Sequence, residues 1–310
     1  MSLLNTPVLF VVFNRLETTG LVFEAIRKAQ PKKLYVASDG PRPNNGSDAE
    51  KCKTIREMVV ANVDWDCELK TLFRDENVGC GLGPSGAYNW FFEHEEEGII
   101  LEDDCLPDPS FFQYCQEMLE RYRHDTRIMH ITGSNFQKGW VNDDDYSYYF
   151  SSYPHEWGWA TWRRAWNLYD FGVKKYPELI KKDYFKGYFG SSFEQKYRLT
   201  KIHNSYNNPN ANWWDYQWSF ALFSNSGLSI IPNVNLIENI GLGVDATHTL
   251  SANDKFKHNA AHPIQFPLKH PSFVIRDRKS DNRYFKALLT SIFKRKLLSL
   301  LGVKGYYFKG

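Results

Sequence analysis

Between Pro7 and Gly133, short apolar runs bounded by turn residues alternate with longer stretches whose apolar side chains recur at helical spacing. The runs at 7–13, 33–38, 67–74, 98–102 and 127–133 read as strands. Helices are expected at 16–29, at 49–61, from about Pro84 to Glu96, and from Pro109 through PSFFQYCQEMLERYR. Strands separated by helices are not joined as hairpins. They line up in parallel through right-handed crossovers, which cover both faces with helices. The expected class is α/β, a Rossmann-like, mostly parallel sheet flanked by helices.

The pattern breaks after Gly133. Residues 134–250 are irregular and rich in Asn, Trp and Tyr. Helices are expected there at about 159–170, 188–205 and 213–225, with short strands near 228–231 and 234–238. This half continues the first, so 1–275 reads as one domain with halves 1–133 and 134–275. Residues 276–310 form a separate tail. That tail holds ten Lys or Arg and two Asp or Glu, a balance of +8; the whole chain carries +2, so the rest carries −6. Apolar residues at helical spacing between Tyr284 and Leu301, flanked by Lys286, Lys294, Arg295 and Lys296, make it amphipathic. Such a helix either lies on an anionic membrane or packs its apolar face on the domain.

Composition removes other classes. Five cysteines, none at CxxC spacing, argue against a disulfide framework and a zinc site and fit a reducing cytosol. PVLFVVF is too short for a signal peptide, lacks a basic lead, and reads as a buried strand. No run is long and uncharged enough to span a bilayer. Aromatics at 16% either fill a Trp-rich core or stack on sugar rings and bases.

Ligands of an open parallel sheet bind beyond the carboxyl ends of its strands. Four loaded segments fall there: Asn14-Arg15, Asp39-Gly40, Arg74 through Gly86, and Glu102-Asp103-Asp104. The acid run ends a strand buried on both faces, GIILEDDC, and calls for something to neutralise it. Mg²⁺ or Mn²⁺ uses one or two carboxylates plus phosphate oxygens, whereas a helix cap needs no triple acid and is already supplied by Asp108. Gly81-Leu82-Gly83-Pro84-Ser85-Gly86 matches GxGxxG but follows the third strand. It reads equally as a tight turn and as a loop that lets backbone approach a diphosphate. Asp39 is either a turn aspartate in SDGP or an acceptor for a base or ribose. Asp215, among the aromatics of WWDYQW, is a candidate general base or a hydrogen-bonded structural acid. His248 is a candidate metal ligand or phosphate contact.

Taken together, PVLFVVFNR, SDGPR, RDENVGCGLG, the strand-ending EDD and WWDYQW resemble nucleotide-diphospho-sugar transferases of the GT-A fold over about residues 5–250. The resemblance is nearest to bacterial glycosyltransferase-like proteins. More distantly, it extends to the N-acetylglucosaminyltransferase class that starts complex N-glycan branches. It implies a nucleotide-sugar-binding half at 1–133 and an acceptor-side half at 134–275. Asp104 would bind Mn²⁺ (or Mg²⁺), and Glu102 and Asp103 would contact ribose or sugar. Asn14, Arg15 and Asp39 would hold the nucleoside. Arg74, Asn77 and Gly79 would lie beside the diphosphate and base, and Asp215 would be the base. That class has two adjacent acids after its Trp, whereas Tyr216 follows Asp215 here.

The expected activity is an inverting, metal-dependent hexosyl- or N-acetylhexosaminyltransferase in bacterial polysaccharide synthesis. It would use a UDP-sugar donor and a glycan or lipid-linked acceptor. The expected location is cytoplasmic and peripheral to the inner membrane, with no nucleic-acid partner. The alternative is a non-catalytic glycan- or nucleotide-sugar-binding protein on the same fold. An oxidoreductase would need its glycine fingerprint after the first strand, where FNRLETTG stands. A sugar nucleotidylyltransferase would carry a glycine-rich loop with Arg and Lys at that same place.

Overall fold

The computed structural model describes residues 4–141, 145–241 and 259–300. His248 lies outside the described residues.

Four parallel strands form the frame: β1 (Val8–Val12), β2 (Lys33–Ser38), β3 (Glu68–Phe73) and β4 (Glu97–Glu102), in the order β3-β2-β1-β4. Their crossovers are α1 (Leu16–Ala29), α2 (Asp48–Ala61) and α3 (Gly79–His94). Side chains alternate across β1, as a two-residue period requires. Val8, Phe10 and Val12 meet α1, α2 and α4 (Ser110–Tyr122), while Leu9 faces the core under α3. Helices therefore cover both faces, and the architecture is Rossmann-like α/β.

Beyond β4 the sheet is mixed rather than mostly parallel. After the short strand β5 (Cys105–Pro107) come β6 (Ile128–Thr132), β7 (Tyr148–Ser151), β8 (Trp159–Trp162) and β9 (Leu228–Pro232). They extend the order as β4-β8-β6-β9-β7. β8 runs antiparallel between β4 and β6, β9 is parallel to β6, and β7 is antiparallel to β9. The segment from 159, expected as a helix, is this strand followed by one helical turn, α5 (Arg163–Trp166). All four residues of WATW are buried, and a short run buried on both faces has no period to tell strand from helix. A final strand, β10 (Ile237–Asn239), pairs with β5.

The second half adds α6 (Tyr176–Lys181), α7 (Ser192–Tyr206), α8 (Asp215–Ser224) and α9 (Arg278–Leu300). Trp159, Trp166, Trp214 and Trp218 pack with Tyr88 beneath α3, so much of the aromatic excess is core. The start of the tail is also docked. Arg276 donates from Nε to Asp281 at 2.5 Å, and the Asp281 carboxylate accepts from Ser151 and Ser152. Phe285 is buried, whereas Phe293 and Leu297 are exposed. For the first turns of α9, packing on the domain is the arrangement realised.

Candidate active site

In-register pairing of β1 with β2 and β4, and of β2 with β3, brings four loaded strand ends to one edge. Arg15 reaches from the start of α1 to the acids after β4. Its Nη1 lies 2.7 Å from Asp104 Oδ2 and 3.3 Å from Asp103 Oδ1. The Phe13 N–H donates to Asp103 Oδ2 at 3.1 Å, and the Tyr88 hydroxyl donates to Glu102 Oε1 at 3.1 Å. One guanidinium does not balance three acids. Burial, then the charge of Asp104, pushes Glu102 up to about 8. The same two causes push Asp103 up to about 7, against the pull of Arg15. Asp104 also meets the end of β10: its carbonyl accepts the Ile240 N–H, and a side chain on Gly241 would collide with its carboxylate.

The other predicted residues order this edge. Asn14 Nδ2 donates to buried Asp48, which Arg42 also clamps. Asp39 Oδ1 and Oδ2 accept the backbone N–H groups of Gly40, Val78 and Gly79, so its carboxylate caps α3 from a neighbouring loop. Asn77 Nδ2 donates to Gly40 O at 2.8 Å, and Arg74 Nη1 to Gly83 O at 3.3 Å.

The GxGxxG run is the opening of α3 rather than a free loop. The Cys80 N–H is taken by Asn212 Oδ1 at 2.8 Å. Gly81 exists for close approach, because a Cβ there would strike the Ala211 carbonyl. The tight turn expected at 81–86 is helix instead, with positive φ confined to Gly79, and the contact at Gly81 is one of close packing. Gly79, at φ +85°, makes the turn into the helix.

The antiparallel run of β8 beside β4 brings a further segment to this edge. Trp159 pairs with Ile100, so the residues preceding β8 arrive at the level of Glu102. Glu156 is among them, and the sequence reading did not select it. Burial, then the charges of Asp215 and of Glu102, hold its carboxyl well above the ordinary range. Asp215 is half-buried at the first position of α8. Arg198 of α7 partly offsets the charge on Glu156. Its ring contact with Tyr153 is 4.3 Å from the centroid, and its Nε and Nη2 are buried without a hydrogen-bond partner among the described residues. The edge thus joins Arg15 to Asp103 and Asp104, with Glu102 beside them, and the charges of Asp215 and Glu102 are felt at Glu156.

Among the described residues, no three Asp, Glu, His or Cys side chains converge as a ready-made metal cage. The donor chemistry still fits a hard cation that arrives with phosphates, since such an ion needs only one or two carboxylates. The excess of buried acid is what such a cation would neutralise. All five cysteines are free thiols. No helix among the described residues is long and apolar enough to cross a membrane.

No family model matches the sequence, and no curated protein matches it. Solved structures with a similar course include TarS 1–349 of S. aureus, at 10% identity and a TM-score of 0.40 over 75% of this chain and 59% of that one. HddC from Yersinia pseudotuberculosis aligns at 8% identity and a TM-score of 0.30, over 51% of this chain and 77% of that one. UDP-glucose pyrophosphorylase complexed with UDP-glucose aligns at 8% identity and a TM-score of 0.42, over 91% and 99%. The chain thus spans less than two thirds of the TarS structure.

Proposed function

We propose that this chain is an inverting glycosyltransferase that moves a sugar from a nucleotide-diphosphate donor to a hydroxyl of a glycan or lipid-linked acceptor. The observation that carries the reading is the run of three buried or half-buried acids after β4, clamped by Arg15 through Asp103 and Asp104. Asp104, with Asp103 beside it, would hold Mn²⁺ or Mg²⁺, which supplies positive charge to the diphosphate when bound. Arg15 would shift its hydrogen bonds from Asp103 and Asp104 to phosphate oxygens when the donor binds. The preference for a uridine donor and for a hexosyl or N-acetylhexosaminyl group rests on the resemblance of the sequence motifs.

Asp215 takes the proton of the acceptor hydroxyl. The acceptor oxygen then bonds to the anomeric carbon on the face opposite the diphosphate, which leaves with the electrons of the broken C–O bond. Glu156, whose carboxyl burial and the charge of Asp215 hold above the ordinary range, favours its proton more than a free carboxyl does and leaves the base role to Asp215.

The test is release of nucleoside diphosphate from a panel of nucleotide sugars in Mn²⁺. One donor should be turned over, and Asp215→Asn should lower transfer by about 10²–10⁴-fold with nucleotide affinity nearly intact. If no donor is bound or cleaved, the reading fails.

A further inference from the structure

A cavity of about 580 Å³ lies between residues 136–140 and α9, away from the strand-end acids. Pockets of this size hold small ligands. Its floor includes Phe136 and Ala287. Trp140 forms one wall, and Lys279, Arg283 and Lys286 project from α9. Positions 279, 283 and 286 share one helix face. Arg283 sits 5.0 Å and Lys279 5.4 Å from the Trp140 ring centroid. Lys138 and Gly139 both take positive φ, which turns the chain so that Trp140 meets the helix. Arg283 and Lys286, both exposed and both lining the groove from α9, supply cations for the capture of an anion. A planar guanidinium beside an aromatic face, with a lysine one turn on, matches a phosphate carried next to a ring or chain. One residue of the groove also packs on the segment before β8. Phe136 packs on His155 and Tyr284, with centroids 4.7 and 6.1 Å away, and His155 is the chain neighbour of Glu156.

We propose that this groove is a phosphate-binding site for the acceptor, which therefore carries a phosphate or pyrophosphate group. The acceptor role rests on the transferase reading; phosphate binding by the groove does not. Two sources share that chemistry: a soluble phosphate-bearing glycan and a phosphate-bearing lipid headgroup.

The test uses the full chain in EDTA, where the strand-end acids repel anions. Inorganic pyrophosphate is titrated by calorimetry. In parallel, phosphatidylcholine vesicles with and without phosphatidic acid are sedimented with the protein. Arg283→Glu with Lys286→Glu should weaken binding at least about tenfold, because each cation near such an anion contributes appreciably. Lys294→Glu, on the same helix but outside the groove, should change it less than about twofold. Pyrophosphate binding with this pattern identifies a soluble source, and binding only to phosphatidic acid vesicles identifies a lipid. Absence of binding to both probes, or equal loss in the Lys294 variant, overturns the proposal. The double variant should keep wild-type affinity for UDP with Mn²⁺. If neither protein binds UDP while the groove pattern holds, the transferase reading fails and the groove stands.

Discussion

Glu102 holds its proton well above the ordinary carboxylate range at the strand edge, and its behaviour with pH is a direct consequence. Its folded pKa of about 8 lies above the ordinary 4.5, so the folded state holds this proton more tightly than the unfolded chain. The stability it contributes is full below about pH 4.5 and is lost as pH rises through about 8. Glu102→Gln should therefore raise the melting temperature of metal-free protein at about pH 9 and leave it nearly unchanged at about pH 4. An equal shift at both pH values would show that Glu102 carries no such penalty. Glu156 and Asp215 are separated by a second substitution. Glu156→Gln keeps the size of the side chain and its power to donate a hydrogen bond, so transfer at neutral pH should stay within about fivefold of wild type. A loss as large as that of Asp215→Asn would exchange their roles.

Among the elements, α3 tests whether its glycines serve packing. Gly81→Ala drives a methyl into the Ala211 carbonyl and should cost about 1–3 kcal/mol in denaturant unfolding. Gly20→Ala, in the interior of α1 with nothing within 4 Å of the added carbon, should instead stabilise by about 0.5–1 kcal/mol. Wild-type stability at position 81 would mean that the 211–213 segment is not seated there. This level is also where sequence and structure part. The strands β1 to β4 and the acids at their ends were legible, because βαβ alternation and apolar runs are local signals. β8 was not, since WATW is buried all round and lacks a period. With it went Glu156, which an antiparallel partner of β4 would have pointed to. Asp39 and the glycine run read ambiguously because their partners, Val78 and Ala211, come from other segments.

For the whole molecule, the basic tail divides near the middle of α9. Asp281 is buried and pairs with Arg276, Ser151 and Ser152. Asp281→Ala should destabilise the protein by about 3–5 kcal/mol, because it strands a half-buried guanidinium. Phe293→Ser with Leu297→Ser, both at exposed positions, should leave the melting temperature almost unchanged. If both changes are silent, α9 is a loose appendage. The central claim is that the strand-edge acids bind a nucleoside diphosphate through a divalent cation. Calorimetric titration of UDP into the wild-type chain and into Asp104→Ala, in Mn²⁺ and in EDTA, measures it directly. The account predicts binding by the wild type in Mn²⁺ that is lost in EDTA and lost in the variant. Equal affinity in Mn²⁺ and EDTA, or undiminished binding by Asp104→Ala, would contradict it.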